Sequence, residues 1–167
     1  MNPATKPATT GLSEAFGLVA PLRTVWAWPP DRHLLAALMA ALPVWLALAA
    51  FGGGQLRAPA GAYAWLSLVL VQPLLEEAVF RGLLQGQALR LTAARRLGPL
   101  SWANLGCSVA FAALHLPTQA WPWALAVLPP SLVFGHLRER FGSVWPAVAL
   151  HVVYNAGFGV AAAFARS

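Results

Sequence analysis

Two adjacent glutamates and an arginine stand inside a long apolar stretch of this sequence, at Glu76, Glu77 and Arg81. An ionised side chain at the centre of a membrane helix costs roughly 2.5 to 3.5 kcal/mol, so such residues are usually paired or functional. Glu77 and Arg81 are four residues apart with the acid first, a spacing that favours an ion pair on one helix face. Glu76 points about 100° away from Glu77. We therefore expect Arg81 to neutralise Glu77 and to leave Glu76 free for another partner.

Two further pairs repeat this helical spacing, Phe111 with His115 and His151 with Asn155. A glutamate and a histidine can hold a water molecule between them and take a proton from it. A second histidine and an asparagine can donate hydrogen bonds to a developing oxyanion. With Glu76, these groups would be able to hydrolyse an acyl bond with activated water and no covalent intermediate. A structural role, in which they only fix helix packing, is the alternative.

The spacing along the chain predicts that these groups lie at similar depth. About 22 Å of helix separates Glu76 from the helix end near Leu91, and about 22 Å separates Leu100 from His115. A turn at residues 98–99 would make the two helices antiparallel neighbours with arms of equal length. We therefore expect a single layer of polar groups drawn from several helices.

Membrane helices must hold this layer. The chain of 167 residues is 59% hydrophobic and 10% charged, whereas a soluble domain is typically about 25% charged. We predict an all-α, polytopic membrane bundle of about five transmembrane helices. The predicted crossings cover residues 34–51, 59–91 and 144–164, with two more in the run 97–137, divided near 116–119. The 59–91 helix would be about 45 Å long and is expected to bend at Pro73.

Residues 1–30 form a polar or interfacial segment, with a short helix expected at about 12–25, and residues 31–167 form the transmembrane domain.

The basic residues predict the orientation. The formal charge of +6 comes from arginines scattered between apolar runs, which argues against a nucleic-acid partner. If five crossings alternate, only Arg57 and Arg166 fall on one side, and Arg81 lies within a span. All other Lys and Arg fall on the opposite side, so the N-terminus is predicted to be cytoplasmic and the C-terminus external.

Three short motifs resemble those of a known protease family. EEAVFRG at 76–82 resembles the EExxxR motif of the CPBP intramembrane proteases, which include CAAX prenyl endopeptidases and bacteriocin-processing or immunity (Abi) proteins. FAALH at 111–115 resembles the FxxxH motif, and HVVYN at 151–155 resembles HxxxN. The resemblance covers about residues 73–155, the motif core, and rests on three motifs in order at family-like spacing.

The resemblance implies a role for each matching residue. Glu76, assisted by His115, would activate the water, and His151 and Asn155 would form the oxyanion hole. The supporting residues would be Glu77, Arg81 and Phe111. Two histidines and two glutamates would also offer ligands to zinc, but there is no HExxH motif and an arginine stands near the carboxylates, so no cofactor is expected.

The length of the chain bears on the substrate. Prenyl endopeptidases of the family have about eight crossings, so this shorter chain favours a bacterial role at the inner (cytoplasmic) membrane over a prenylated substrate. The expected partners are the lipid bilayer and a membrane-embedded or membrane-proximal protein or peptide, such as a C-terminal sorting tag. Two other functions stay open: a non-enzymatic immunity or scaffold protein, and a small transporter with a Glu/His proton relay.

Overall fold

The computed structural model describes residues 11–22, 30–52 and 56–165, most of which are helical. The α-helices in these ranges are α1 (Leu12–Ala15), α2 (Arg32–Phe51), α3 (Gly61–Leu66), α4 (Gln72–Glu77), α5 (Gln85–Leu91), α6 (Trp102–His115), α7 (Trp121–Ala126), α8 (Leu128–Phe141) and α9 (Trp145–Phe164). The predicted all-α class is confirmed. Of the helix expected at 12–25, only the four residues of α1 are helical, and residues 16–22 are not. Residues 23–25 lie outside the described residues, as do Lys6 and Arg166 of the orientation argument.

The long helix Gly61–Leu91 carries the two glutamates. It consists of α3, α4 and α5, joined by π-helical segments at Ser67–Val71 and Ala78–Leu84. Pro73 lacks a backbone N–H and cannot support a regular hydrogen-bond ladder, and the first π segment ends two residues before it. The second π segment begins directly after Glu77. Such segments occur frequently at functional sites, because the wider turn redirects the side chains that follow.

Three helices of the described chain are long and apolar enough to cross a membrane. They are α2, the long helix and α9. The predicted count of five crossings is not confirmed. Two crossings were expected in the run 97–137. The chain from 96 to 141 instead forms a β-hairpin of β1 (Arg96–Leu97) and β2 (Leu100–Ser101), followed by the three shorter helices α6, α7 and α8. A 14-residue helix such as α6 reaches only about 21 Å, less than a hydrocarbon core of about 30 Å.

Helix α9 lies at the centre of the bundle and contacts α2, α8 and the first half of the long helix. The buried core joins α2, α8 and α9 and contains Leu34, Ala37, Phe134, Leu137, Phe141, Ala147 and Leu150. Helix α6 packs against α8 and the long helix. These contacts bring the residues of all three motifs towards the middle of the molecule.

The helix ends are held by polar contacts at one end of the bundle. Asp31 caps α2 by accepting hydrogen bonds from the backbone N–H of His33 (3.0 Å) and Leu34 (3.3 Å). It also accepts from the guanidinium of Arg140 in α8, at 2.6 Å from Nη2. The Arg140 guanidinium lowers the pKa of the Asp31 carboxyl from 3.8 to about 2.

Gly98, with φ of 60°, occupies the left-handed region that the tight turn of the β-hairpin requires.

Candidate active site

Glu77 and Arg81 form a fully buried ion pair. Arg81 Nε lies 3.1 Å from Glu77 Oε2, and both side chains are 0% exposed. The guanidinium also donates from Nη2 to Ser131 Oγ in α8, at 2.6 Å. The predicted pairing of Glu77 with Arg81 is therefore confirmed. A buried pair of this kind is retained only when additional hydrogen bonds satisfy it, and Ser131 supplies one of them.

His151 joins this pair from α9. Its Nδ1 lies 2.9 Å from Glu77 Oε1, and its ring stacks on Phe134 with centroids 4.6 Å apart. A carboxylate already paired with an arginine is an acceptor, so His151 Nδ1 carries the proton that it donates to Glu77. The opposite nitrogen, Nε2, then points towards Glu76, whose Oε2 is 3.7 Å away. That distance exceeds a direct hydrogen bond, so the two groups face each other without bonding.

Glu76 faces a cavity, unlike its neighbour. Its side chain is 30% exposed, whereas that of Glu77 is 0% exposed. The cavity has a volume of about 690 Å³, and its wall includes Glu76, His115, His151 and Asn155. Glu77 and Arg81 are absent from the wall and lie behind it. The angular separation expected for adjacent helical residues thus places one glutamate in the protein interior and the other at the cavity.

His115 reaches the same cavity from the end of α6. Its Nδ1 lies 2.8 Å from the backbone oxygen of Phe111, one turn earlier, and the two rings are 4.7 Å apart. Because a carbonyl oxygen only accepts, Nδ1 is protonated and Nε2 is left as the free, basic nitrogen. No nitrogen–oxygen contact within 4.0 Å joins the described side chains of Glu76 and His115, and the histidine nearest to Glu76 is His151.

Asn155 is positioned by the first π segment. Its Nδ2 donates to the backbone oxygen of Leu68 at 2.9 Å, which ties α9 to the long helix. The neighbouring Tyr154 donates its hydroxyl to the backbone oxygen of Ala37 in α2, at 2.8 Å. An amide nitrogen carries two hydrogens, so Asn155 keeps a second donor after binding Leu68.

The structure adds polar residues that the motifs did not indicate. Gln85 follows Arg81 by four residues, is 0% exposed, and donates to Glu139 at 2.7 Å. Its spacing from Arg81 was a usable signal, because it repeats the helical period on the same face. Ser131 had no such signal: it is a single serine after two prolines, and only the packing of α8 brings it to Arg81.

The described residues contain no group of three or more His, Cys, Asp or Glu side chains arranged to hold a metal ion. Of the two histidines and two glutamates considered as zinc ligands from the sequence, Glu77 lies behind the cavity wall, where Arg81 and His151 already bind it. The contacts on Glu77 are those of a hydrogen-bond acceptor.

Comparison with known proteins identifies one family. The family model described as "Type II CAAX prenyl endopeptidase Rce1-like" matches residues 57–157, which is more than half of the chain. The matched range contains all three motifs and the cavity wall from Arg57 to Asn155. No curated protein and no solved structure matches the chain.

Proposed function

This chain belongs to the Rce1-like family of type II CAAX prenyl endopeptidases, and from that premise we propose that it is an intramembrane endopeptidase that uses glutamate-activated water. The family is a protease family, and the apolar helices make the chain a membrane protein. The observation that carries the proposal is the convergence of Glu76, His115, His151 and Asn155 on one cavity, with Glu77 and Arg81 behind its wall.

In the proposed reaction, a water molecule binds between the Glu76 carboxylate and the basic Nε2 of His115. Glu76 takes a proton from the water as the oxygen attacks the carbonyl carbon of the scissile peptide bond. The water oxygen forms the new bond to carbon, and the electron pair of the carbonyl moves onto its oxygen. When the C–N bond breaks, Glu76 returns the proton to the leaving nitrogen.

His151 and Asn155 stabilise the oxyanion in this proposal. Glu77 accepts from Nδ1 of His151 at 2.9 Å, which holds the ring with Nε2 towards the cavity. A doubly protonated His151 donates from Nε2 to the oxyanion, and Asn155 donates with the amide hydrogen that Leu68 leaves free. Removing one donor of this kind typically costs about 100- to 1000-fold in kcat.

We propose a substrate that is itself membrane-embedded or membrane-proximal, with a C-terminal tail or peptide as the cleaved part. Apolar side chains from several helices line the cavity, including Val44, Leu48, Leu68 and Phe158. An apolar wall beside a layer of polar groups suits a chain that enters from lipid.

The proposed location is the cytoplasmic membrane with the N-terminus inside, since Arg96 and Arg140 pair with Glu139 and Asp31 at one end of the bundle.

The test is cleavage by purified protein in lipid vesicles. The probes are an S-farnesylated Cys-Val-Ile-Ala peptide and a single-span reporter with an apolar C-terminal tail. We expect Glu76→Gln and His115→Ala to abolish cleavage while the protein still accumulates in the membrane. Normal processing by both variants would contradict the mechanism. An inactive wild-type protein that still confers a biological effect would favour the non-enzymatic role.

A further inference from the structure

Arg57 is the only lysine or arginine on the described part of the cavity wall. It lies four residues before the long helix begins, and its side chain is exposed. Gln72, Thr118 and Gln119 belong to the same wall and add uncharged polar groups to it. A cation in an otherwise mostly apolar cavity attracts negative charge strongly, because low-dielectric walls screen it poorly.

No acidic side chain of the described chain lies within 4.0 Å of Arg57. Three of the five acidic residues pair with other arginines, namely Asp31 with Arg140, Glu77 with Arg81 and Glu139 with Arg96. Glu76 faces His151, and the remaining acid, Glu14, lies in α1. The charge of Arg57 is therefore available to a molecule that enters the cavity.

We propose that Arg57 is a subsite for the C-terminal carboxylate of the substrate. This inference rests on the proposed function, which places a peptide tail in the cavity. A peptide tail with apolar side chains carries one obligatory negative charge, its terminal carboxylate. A guanidinium binds a carboxylate through two parallel hydrogen bonds, which fixes both position and direction. Arg57 therefore sets the distance from the chain end at which Glu76 acts, and so selects the bond that is cut.

The experiment measures binding separately from cleavage. The Glu76→Gln protein in detergent is titrated with a fluorescein-labelled peptide that carries the apolar C-terminal tail of the reporter, made once as the free acid and once as the carboxamide. We expect the acid to bind about tenfold more tightly than the amide, and added Arg57→Gln to reduce the ratio to about one. Arg57→Lys is expected to keep part of the preference, since it retains the charge without the planar fork.

Arg90→Gln is the matched control. Arg90 is also an exposed arginine, near the other end of the same helix, and it is not on the cavity wall. This variant is expected to keep the full preference for the acid.

Three binding results would overturn the subsite. Equal binding of acid and amide with Arg57 present, or binding of neither, contradicts it. An equal loss for both peptides in Arg57→Gln also contradicts it, because the arginine would then affect binding without distinguishing the carboxylate from the amide. Cleavage is scored independently with wild-type protein. A wild-type protein that binds with the expected preference but cleaves neither peptide contradicts the proposed function and supports the subsite.

Discussion

The two adjacent glutamates are expected to fail in different ways when each is replaced by glutamine. Glu77 is 0% exposed and accepts from Arg81 at 3.1 Å and from His151 at 2.9 Å. Glu77→Gln would leave the Arg81 guanidinium buried without a counter-charge. Breaking one partner of a buried ion pair typically costs about 3–5 kcal/mol. Glu76 is 30% exposed and has no direct hydrogen bond in the described structure, so Glu76→Gln should cost less than about 1 kcal/mol.

The single cysteine provides the assay. Cys107 lies in α6 and is 7% exposed, so a thiol-reactive dye labels it only when the helix bundle opens. For a chain of this size, 3–5 kcal/mol corresponds to a decrease in Tm of roughly 10 °C. We expect that decrease for Glu77→Gln and almost none for Glu76→Gln, measured in the same detergent. Cleavage should show the opposite order of severity, with Glu76→Gln fully inactive and still folded.

A double variant separates charge from packing. Replacing both members of a buried pair by uncharged groups of similar volume is often close to neutral. Glu77→Gln combined with Arg81→Met should therefore recover most of the lost Tm, and the difference measures the coupling of the pair. Equal Tm values for Glu76→Gln and Glu77→Gln would refute the reasoning, as would a double variant less stable than Glu77→Gln alone.

Two further predictions concern the frame of the site. The pKa of Asp31 is about 2 in the folded protein, against an ordinary value of 3.8. Its bond to Arg140 therefore contributes stability above pH 3.8, and this contribution is lost as the pH falls towards 2. Asp31→Asn keeps the helix cap and should remove up to about 2 kcal/mol of this pH dependence, measured in acid-unfolding curves. A Cβ at Gly157 in α9 would overlap the Trp45 ring of α2, so Gly157→Ala should lower the free energy of unfolding by about 1–3 kcal/mol. Gly106→Ala is the control, because a Cβ there meets nothing within 4 Å and should not lower it. A Gly157→Ala protein as stable as the wild type would mean that α2 and α9 can separate at this contact without cost.

Contacts within one helix were predictable because the helical period fixes the angle between residues. The i,i+4 spacing predicted the ion pair of Glu77 with Arg81, and the 100° step predicted that Glu76 faces elsewhere. The same spacing relates Phe111 to His115, whose Nδ1 binds the Phe111 carbonyl. In each case the sequence separation alone determines which groups can touch.

Contacts between helices were less predictable, because periodicity says nothing about how each helix is rotated against its neighbour. Matched depth placed His115 beside Glu76, but the rotation of α9 brings His151 nearer, at 3.7 Å. The same rotation gives His151 its bond to Glu77, which no spacing within α9 could indicate. The number of crossings was not predictable for a related reason. A charge-free run shows that a segment can enter lipid, but it does not show where turns divide the segment. The hairpin and the three short helices between 96 and 141 were therefore not predicted from the run 97–137.

The His151 contacts explain why two glutamates stand side by side. Glu77 and Arg81 neutralise each other, so the charge of the remaining pair depends on Glu76 and His151 alone. Glu76 and His151 face each other across 3.7 Å at the cavity wall, and Glu77 holds His151 from the other side of the ring at 2.9 Å. One glutamate therefore fixes the arginine and the histidine inside the protein, and the other keeps its carboxylate for a molecule in the cavity. A single glutamate could not do both, because the contacts that fix Arg81 and His151 occupy both oxygens of Glu77.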